Sequence, residues 1–205
     1  MEDSYFTIDR EARAEIKVKG SRFIGESFLV HTPDEALARL NTVRKREHAA
    51  THHCYAWHTG RDDDTAFKYS DDGEPNGTAG KPIYDVVLGD GLTDILLVVT
   101  RYFGGTKLGT GGLARAYGDT ARQTLDKSGR KENFITVRFR LGLEFSLYDR
   151  WLKKMLALGA EVVASDFAER VTLSVEIRRS RAERLEAAFV ELTGGKGEIE
   201  RRETT

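Results

Sequence analysis

Asp94-Ile-Leu-Leu-Val-Val-Thr100 is an unbroken apolar run with no polar face. A strand written this way is covered on both sides, so it belongs at the centre of a layered domain. The stretch after it is as constraining. Gly104 to Gly112 is a nine-residue segment rich in glycine, leading to a helix expected from about Leu113 to Lys127 and ended by Ser128-Gly129. Leu113, Ala116, Tyr117, Ala121 and Leu125 mark the buried side of that helix.

Glycine is also the one unusual number in the composition. Of 20 glycines in 205 residues, 11 lie between Gly73 and Gly118. Glycine costs folding entropy and permits positive φ and close backbone approach, so this concentration points to shaped loops. A buried strand running through glycines into a helix also exposes unpaired N–H groups at the positive end of a helix dipole, a ready anion site. The candidate phosphate- or nucleic-acid-binding residues are Arg101, Gly104, Gly105, Lys107, Gly109, Gly111, Gly112 and Arg115. Between 101 and 130 stand Arg101, Lys107, Arg115, Arg122, Lys127 and Arg130, opposed by Asp119 and Asp126. The segment is neither a Walker A sequence nor Gly-x-Gly-x-x-Gly. Glycine turns that merely pack against their neighbours are the alternative.

The rest of the chain divides near Ser128–Phe134. Before it, residues 14–30 read as two strands around a Lys19-Gly20-Ser21 turn. Thr32-Pro33-Asp34-Glu35 opens a helix as a capping box, Thr51–Trp57 is a strand, Tyr69–Gly80 is loop-like, and a short helix runs through Ile83, Val86 and Val87. After it, the order β-α-β-β-α-β is expected, with Ser180 and Glu183 forming a second capping box and a last strand near Gly197–Arg202. The fold class is therefore α+β in two domains, 1–130 and 131–205. Net charge is −1 overall, −2 and +1 in the two parts, which excludes a bulk polyanion binder. One cysteine allows no internal disulfide and suits a reducing, cytoplasmic setting. No run approaches the ~20 apolar residues of a membrane helix, and no signal peptide is visible.

Two further clusters invite chemistry. Tyr69 to Ile83 contains Asp71, Asp72 and Glu74, carboxylates able to hold Mg²⁺ beside a phosphate; Asp-Gly and Pro-Asn-Gly are equally ordinary turns. His48, His52, His53, Cys54 and His58 hold the single cysteine and four of the five histidines. A helical reading puts His48 and His52 on one face, with Cys54 near, as a metal set. An extended one puts His53, Tyr55 and Trp57 on one face and Cys54, Ala56 and His58 on the other, an exposed aromatic and polar contact surface. Tyr102, Phe103, Tyr55 and Trp57 are candidate anchors for a protein partner.

Lys19-Gly-Ser-Arg-Phe-Ile24, His53-Cys-Tyr-Ala56, Asp71-Asp-Gly-Glu-Pro-Asn-Gly-Thr-Ala-Gly-Lys-Pro-Ile83 and Val99-Thr-Arg-Tyr-Phe-Gly-Gly-Thr-Lys-Leu-Gly-Thr-Gly-Gly-Leu-Ala-Arg-Ala-Tyr117 together resemble the IMPACT/YigZ family. Asp71, Asp72, Gly73, Glu74, Pro75, Gly77, Thr78 and Gly80 form its second motif loop. The resemblance implies a first domain like the second domain of ribosomal protein S5, as found also in elongation factor G and GHMP kinases. It implies a ferredoxin-like second domain similar to the last domain of elongation factor G. It brings no catalytic residue and no cofactor. The function expected is that of a non-enzymatic factor bound to RNA or the ribosome, a regulator of translation; a phosphate- or nucleotide-binding enzyme and a protein-interaction module are the alternatives.

Overall fold

The structure, a computed structural model, describes residues 3–203. It is a mixed α/β chain of antiparallel sheets in two compact units: one holds Phe6–Glu132, and the other is built from the residues on either side of it. Strands β1 (Ser4–Ile8) and β7 (Arg130–Phe134) pair as a small sheet of their own where the chain passes between units. Among the described residues no helix is long and apolar enough to cross a membrane.

In the first unit, β2 (Ala12–Val18), β3 (Ser21–Leu29), β4 (His52–Thr59), β5 (Ala66–Ser70) and β6 (Ile95–Tyr102) form a sheet in the order β2-β3-β6-β4-β5. The apolar run is β6, central and antiparallel to both neighbours, with Cys54 opposite Val99 and Tyr55 opposite Val98. Leu97, Val99, Cys54 and Ala56 pack beneath Ile83 and Val87 of α2 (Gly80–Gly89) and Leu113, Tyr117 and Ala121 of α3 (Gly109–Ser128). Leu96, Val98, Tyr55 and Trp57 face the other way, onto Ala36, Leu40 and Val43 of α1 (Pro33–Arg46). Helices on both sides are why β6 carries no polar position from Ile95 to Val99. The cap of α1 forms as its sequence predicts: the Glu35 N–H donates to Thr32 Oγ1 at 3.2 Å, and the Glu35 carboxylate accepts from the His31 N–H.

Four local expectations are corrected. Tyr55 and Trp57 are buried, 5 % and 6 % exposed, so neither is a surface anchor; α1 covers the face they share. Residue 52 lies in β4 and α1 ends at Arg46, so no helix brings His48 and His52 together. Helix α3 begins four residues before Leu113, and Gly109, Gly111 and Gly112 are its first turn despite glycine's poor propensity. Ser180 does not cap the helix after it: its N–H donates instead to the Asp3 carboxylate at 2.9 Å.

The second unit runs β8 (Thr136–Leu143), α4 (Phe145–Ala157), β9 (Glu161–Phe167), β10 (Val171–Arg178), α5 (Ala182–Thr193) and β11 (Glu198–Glu203), with sheet order β11-β8-β10-β9, all antiparallel. Period-2 alternation turns Phe139, Leu141, Leu173 and Val175 onto Trp151 of α4 and Phe189 of α5, whose rings meet edge to face at 4.9 Å. The other faces of β8 and β10 carry Thr136, Arg138, Arg140, Thr172, Ser174, Glu176 and Arg178, with no aromatic side chain.

Candidate functional site

The two glycine loops meet. Between them opens a cleft of about 340 Å³, lined by Glu74 and Pro75 of the first loop, Arg101 and Phe103 at the exit of β6, and Lys107 to Thr110 with Leu113 at the start of α3. Its walls are mostly apolar and its floor is an ion pair. Arg101 Nη1 donates to Glu74 Oε1 at 2.6 Å, with Glu74 9 % and Arg101 5 % exposed. The Tyr117 hydroxyl donates to the same oxygen at 2.8 Å, and Arg101 Nη2 donates to Ser21 Oγ at 3.3 Å. Burial, then the neighbouring Cys54 and Glu74, pushes the Tyr117 phenol well above its usual range, so it stays a hydrogen-bond donor.

Ser21 ties in the third motif. Its Oγ also accepts from the Gly104 N–H at 3.1 Å, which seats Gly104 directly on the Lys19-Gly20 turn. A Cβ at Gly104 would stand 1.9 Å from the Gly20 carbonyl carbon and 2.3 Å from the Ser21 nitrogen. Gly104 is thus required by backbone packing. Gly105 and Gly109 hold positive φ, 85° and 73°, which L side chains rarely adopt. Gly111 is different: it has helical φ, is exposed, and a Cβ there would meet nothing within 4 Å.

The acidic residues of the first loop are occupied by the fold. The Asp71 carboxylate accepts from the N–H groups of Gly77, Ala79 and Gly80 at 2.8–2.9 Å. It therefore caps α2, whose N-cap residue Ala79 has no capping side chain. Asp72 accepts from Arg44 and from the His53 N–H, both at 2.7 Å. With Glu74 on Arg101 and Tyr117, each of the three faces different partners, and among the described residues no group of three His, Cys, Asp or Glu could hold a metal ion. His52 Nδ1–H donates to the Asp72 carbonyl at 2.8 Å, the Cys54 thiol donates to the Asp71 carbonyl, and His48 is exposed beyond α1. Cys54 and His53 are buried, so this cluster supports the loop from below and is not the exposed contact surface its composition suggests. Burial also pushes the Cys54 thiol up, away from thiolate chemistry. Asp71→Ala is expected to cost about 1–2 kcal/mol, the upper part of the range for removing a helix cap, read as a lowered urea midpoint with unchanged m. An unshifted midpoint would show that α2 does not depend on this cap.

Arg101, Lys107 and Gly109 line the cleft; Arg115, Gly111 and Gly112 lie on α3 beyond it. The six cations of 101–130 do not form one surface. Arg101 is under the cleft, while Lys127 and Arg130 lie at the far end of a 20-residue helix, roughly 30 Å away at 1.5 Å per residue. Lys107 and Arg115 are exposed and, among the described residues, the side chain of neither engages in an ion pair or hydrogen bond. Sequence reasoning missed Leu108, Thr110 and Ser21; nothing distinguishes these residues until the loops meet.

This constellation of loops is shared. A family model described as the Impact N-terminal domain matches residues 19–125, and one described as a domain of unknown function (DUF1949) matches residues 143–196. The chain belongs to the IMPACT family. It is 35 % identical to the IMPACT family member YvyE of Bacillus subtilis, across 98 % of this chain and 93 % of that one. It is 34 % identical to the IMPACT family member YigZ of Escherichia coli across 87 % and 88 %. A crystal structure titled as that of a hypothetical protein superposes with a TM-score of 0.69 at 30 % identity, covering all of both chains.

Proposed function

We propose that this protein is a non-enzymatic factor that binds RNA, free or in the ribosome, by receiving backbone phosphate at the amino end of α3. One observation carries the reading. The first turn of α3 has no side-chain cap, no acidic residue and three glycines, and it opens beside Lys107 and Arg115. The other helices of this unit are neutralised at that pole, α1 by Thr32, Asp34 and Glu35 and α2 by Asp71. Unshielded N–H groups at a helix start favour an anion, and glycine at position 111, which the fold itself does not require, lets a ligand approach the backbone. Arg101 acts in this reading by holding the cleft floor, since its charge is spent on Glu74.

The architecture suits the same role. We read residues 1–130 as a domain like the second domain of ribosomal protein S5, and residues 131–205 as a ferredoxin-like domain similar to the last domain of elongation factor G. The sheet order β11-β8-β10-β9 with the element order β-α-β-β-α-β supports the second assignment. A single buried cysteine suits the cytoplasm.

The test is fluorescence anisotropy with a labelled mixed-sequence 20-nucleotide RNA over a salt series. Wild-type affinity should fall with salt. Lys107→Ala/Arg115→Ala should bind more weakly and flatten the slope of log K against log salt by roughly 1.4–1.8, at about 0.7–0.9 for each phosphate no longer neutralised. Identical binding by the double variant would remove the assigned site. Capture from lysate of a single protein that survives RNase treatment, with no RNA binding, would replace the reading with that of a protein-interaction module.

A further inference from the structure

We infer that the cleft beneath the amino end of α3 holds one unstacked base of single-stranded RNA, with the adjoining phosphate on the helix. The inference rests on the RNA reading above and adds the form of RNA selected. A site for phosphate alone needs only the helix end and its cations. Here an apolar recess lies next to them, walled by Pro75, Phe103, Leu108 and Leu113. Its volume, about 340 Å³, is at the small end of the ~300–1,000 Å³ found for small-molecule sites, the scale of a single nucleotide unit. In a duplex the bases are stacked inside and cannot enter it.

The recess has what a base needs. Phe103 is an exposed ring, 48 % accessible, and the Arg101 guanidinium stands over it, 5.4 Å from the ring centroid, so the ring is held in place before a ligand arrives. Aromatic rings presented next to cations are how proteins bind single strands, because every base has a π-face. The floor is polar in a way the fold leaves incomplete. Arg101 Nε–H is buried with no hydrogen-bond partner, an expensive condition for a donor. Glu74 takes both of its hydrogen bonds on Oε1, and none falls on Oε2. The unused Glu74 Oε2 acceptor beside the cleft suits the exocyclic amino group that adenine, guanine and cytosine each present. By contrast, the open sheet face of the second unit, where the outward positions of β8 and β10 carry no aromatic, offers no stacking platform.

The experiment uses the full chain and three probes: a mixed-sequence 12-nucleotide RNA, the same strand annealed to its complement, and the same strand with abasic residues throughout. The wild-type protein should bind the single strand roughly 5- to 150-fold tighter than the abasic strand, the range expected for one stacked base, and tighter than the duplex. Phe103→Ala should bring the single strand down to the abasic level with the salt slope unchanged. Lys107→Ala/Arg115→Ala should weaken all three probes together. Equal wild-type binding to the three probes would overturn the base site while leaving the phosphate site standing. Failure to bind any of them would overturn the RNA reading beneath it. The wild-type comparison decides the matter even if a variant fails to fold.

Discussion

Glu74→Leu should destabilise the first unit by about 3–5 kcal/mol, the usual cost of breaking a buried ion pair by removing one partner. The Coulombic attraction removed is the smaller part of this. Arg101 would keep its charge at 5 % exposure with the Ser21 hydroxyl and the rings of Phe23 and Phe103 near it but no carboxylate, and the Tyr117 hydroxyl would lose its acceptor in the core. Uncompensated desolvation dominates. The same logic makes the double variant Glu74→Leu/Arg101→Met informative. With both charges gone, most of the stability should return, because a buried pair gains little over apolar groups of similar volume. Urea unfolding of the three proteins at constant m reads the difference. A loss below about 1 kcal/mol for Glu74→Leu alone would mean that water reaches the pair freely and that it is no floor.

Gly104→Ala comes next in size. The new methyl would be driven to 1.9 Å from the Gly20 carbonyl carbon and 2.1 Å from its oxygen. Both sides of that approach are backbone, so no side chain can rotate away. Either the Lys19-Gly20 turn or the exit of β6 must shift, at a cost near the top of the roughly 1–3 kcal/mol typical of overpacking. The shift would also pull the Gly104 N–H off Ser21 and so loosen a partner of Arg101. Gly111→Ala is the control. Its Cβ meets open space in a helical residue, so stability should stay level or rise by up to about 1 kcal/mol. Thermal or urea midpoints separate the two glycines; a neutral Gly104→Ala would disprove the close approach.

The contrast between these glycines shows what could be read from residue order. The β6 run, the helix after it and the β-α-β-β-α-β order were legible, because period and turn chemistry are local signals. Edge strand β5 was not: four of its five positions are polar or aromatic and three are exposed, so burial leaves no alternation to see. Ser180-x-x-Glu183 has the spacing of a capping box, but Asp3, 177 residues away, claims the Ser180 N–H. Arg101 stood in a run of cations and looked like part of a basic patch. Its charge is cancelled by Glu74, 27 positions earlier, and spacing alone cannot reveal such a pairing. Tyr55 and Trp57 alternate as an aromatic face covered by α1, the element just before β4, and alternation alone does not tell a covered face from an open one. The candidate cleft was half visible: both of its loops were marked by glycine, and nothing in their order said that they touch.

Asp3 has one more consequence, for the order in which the protein can be completed. Its carbonyl accepts from the Ile135 N–H at 2.6 Å and its carboxylate from Ser180, so it belongs with the residues after 132. During synthesis, the strands of the first unit are all available once residue 132 has been made. Asp3 must wait for Ser180, 48 residues further on, roughly 2–10 s at ordinary elongation rates. A chain cut off after the first unit would therefore keep the cleft and its two glycine loops, while its Asp3 would lack the Ile135 and Ser180 N–H groups that it accepts from in the whole protein.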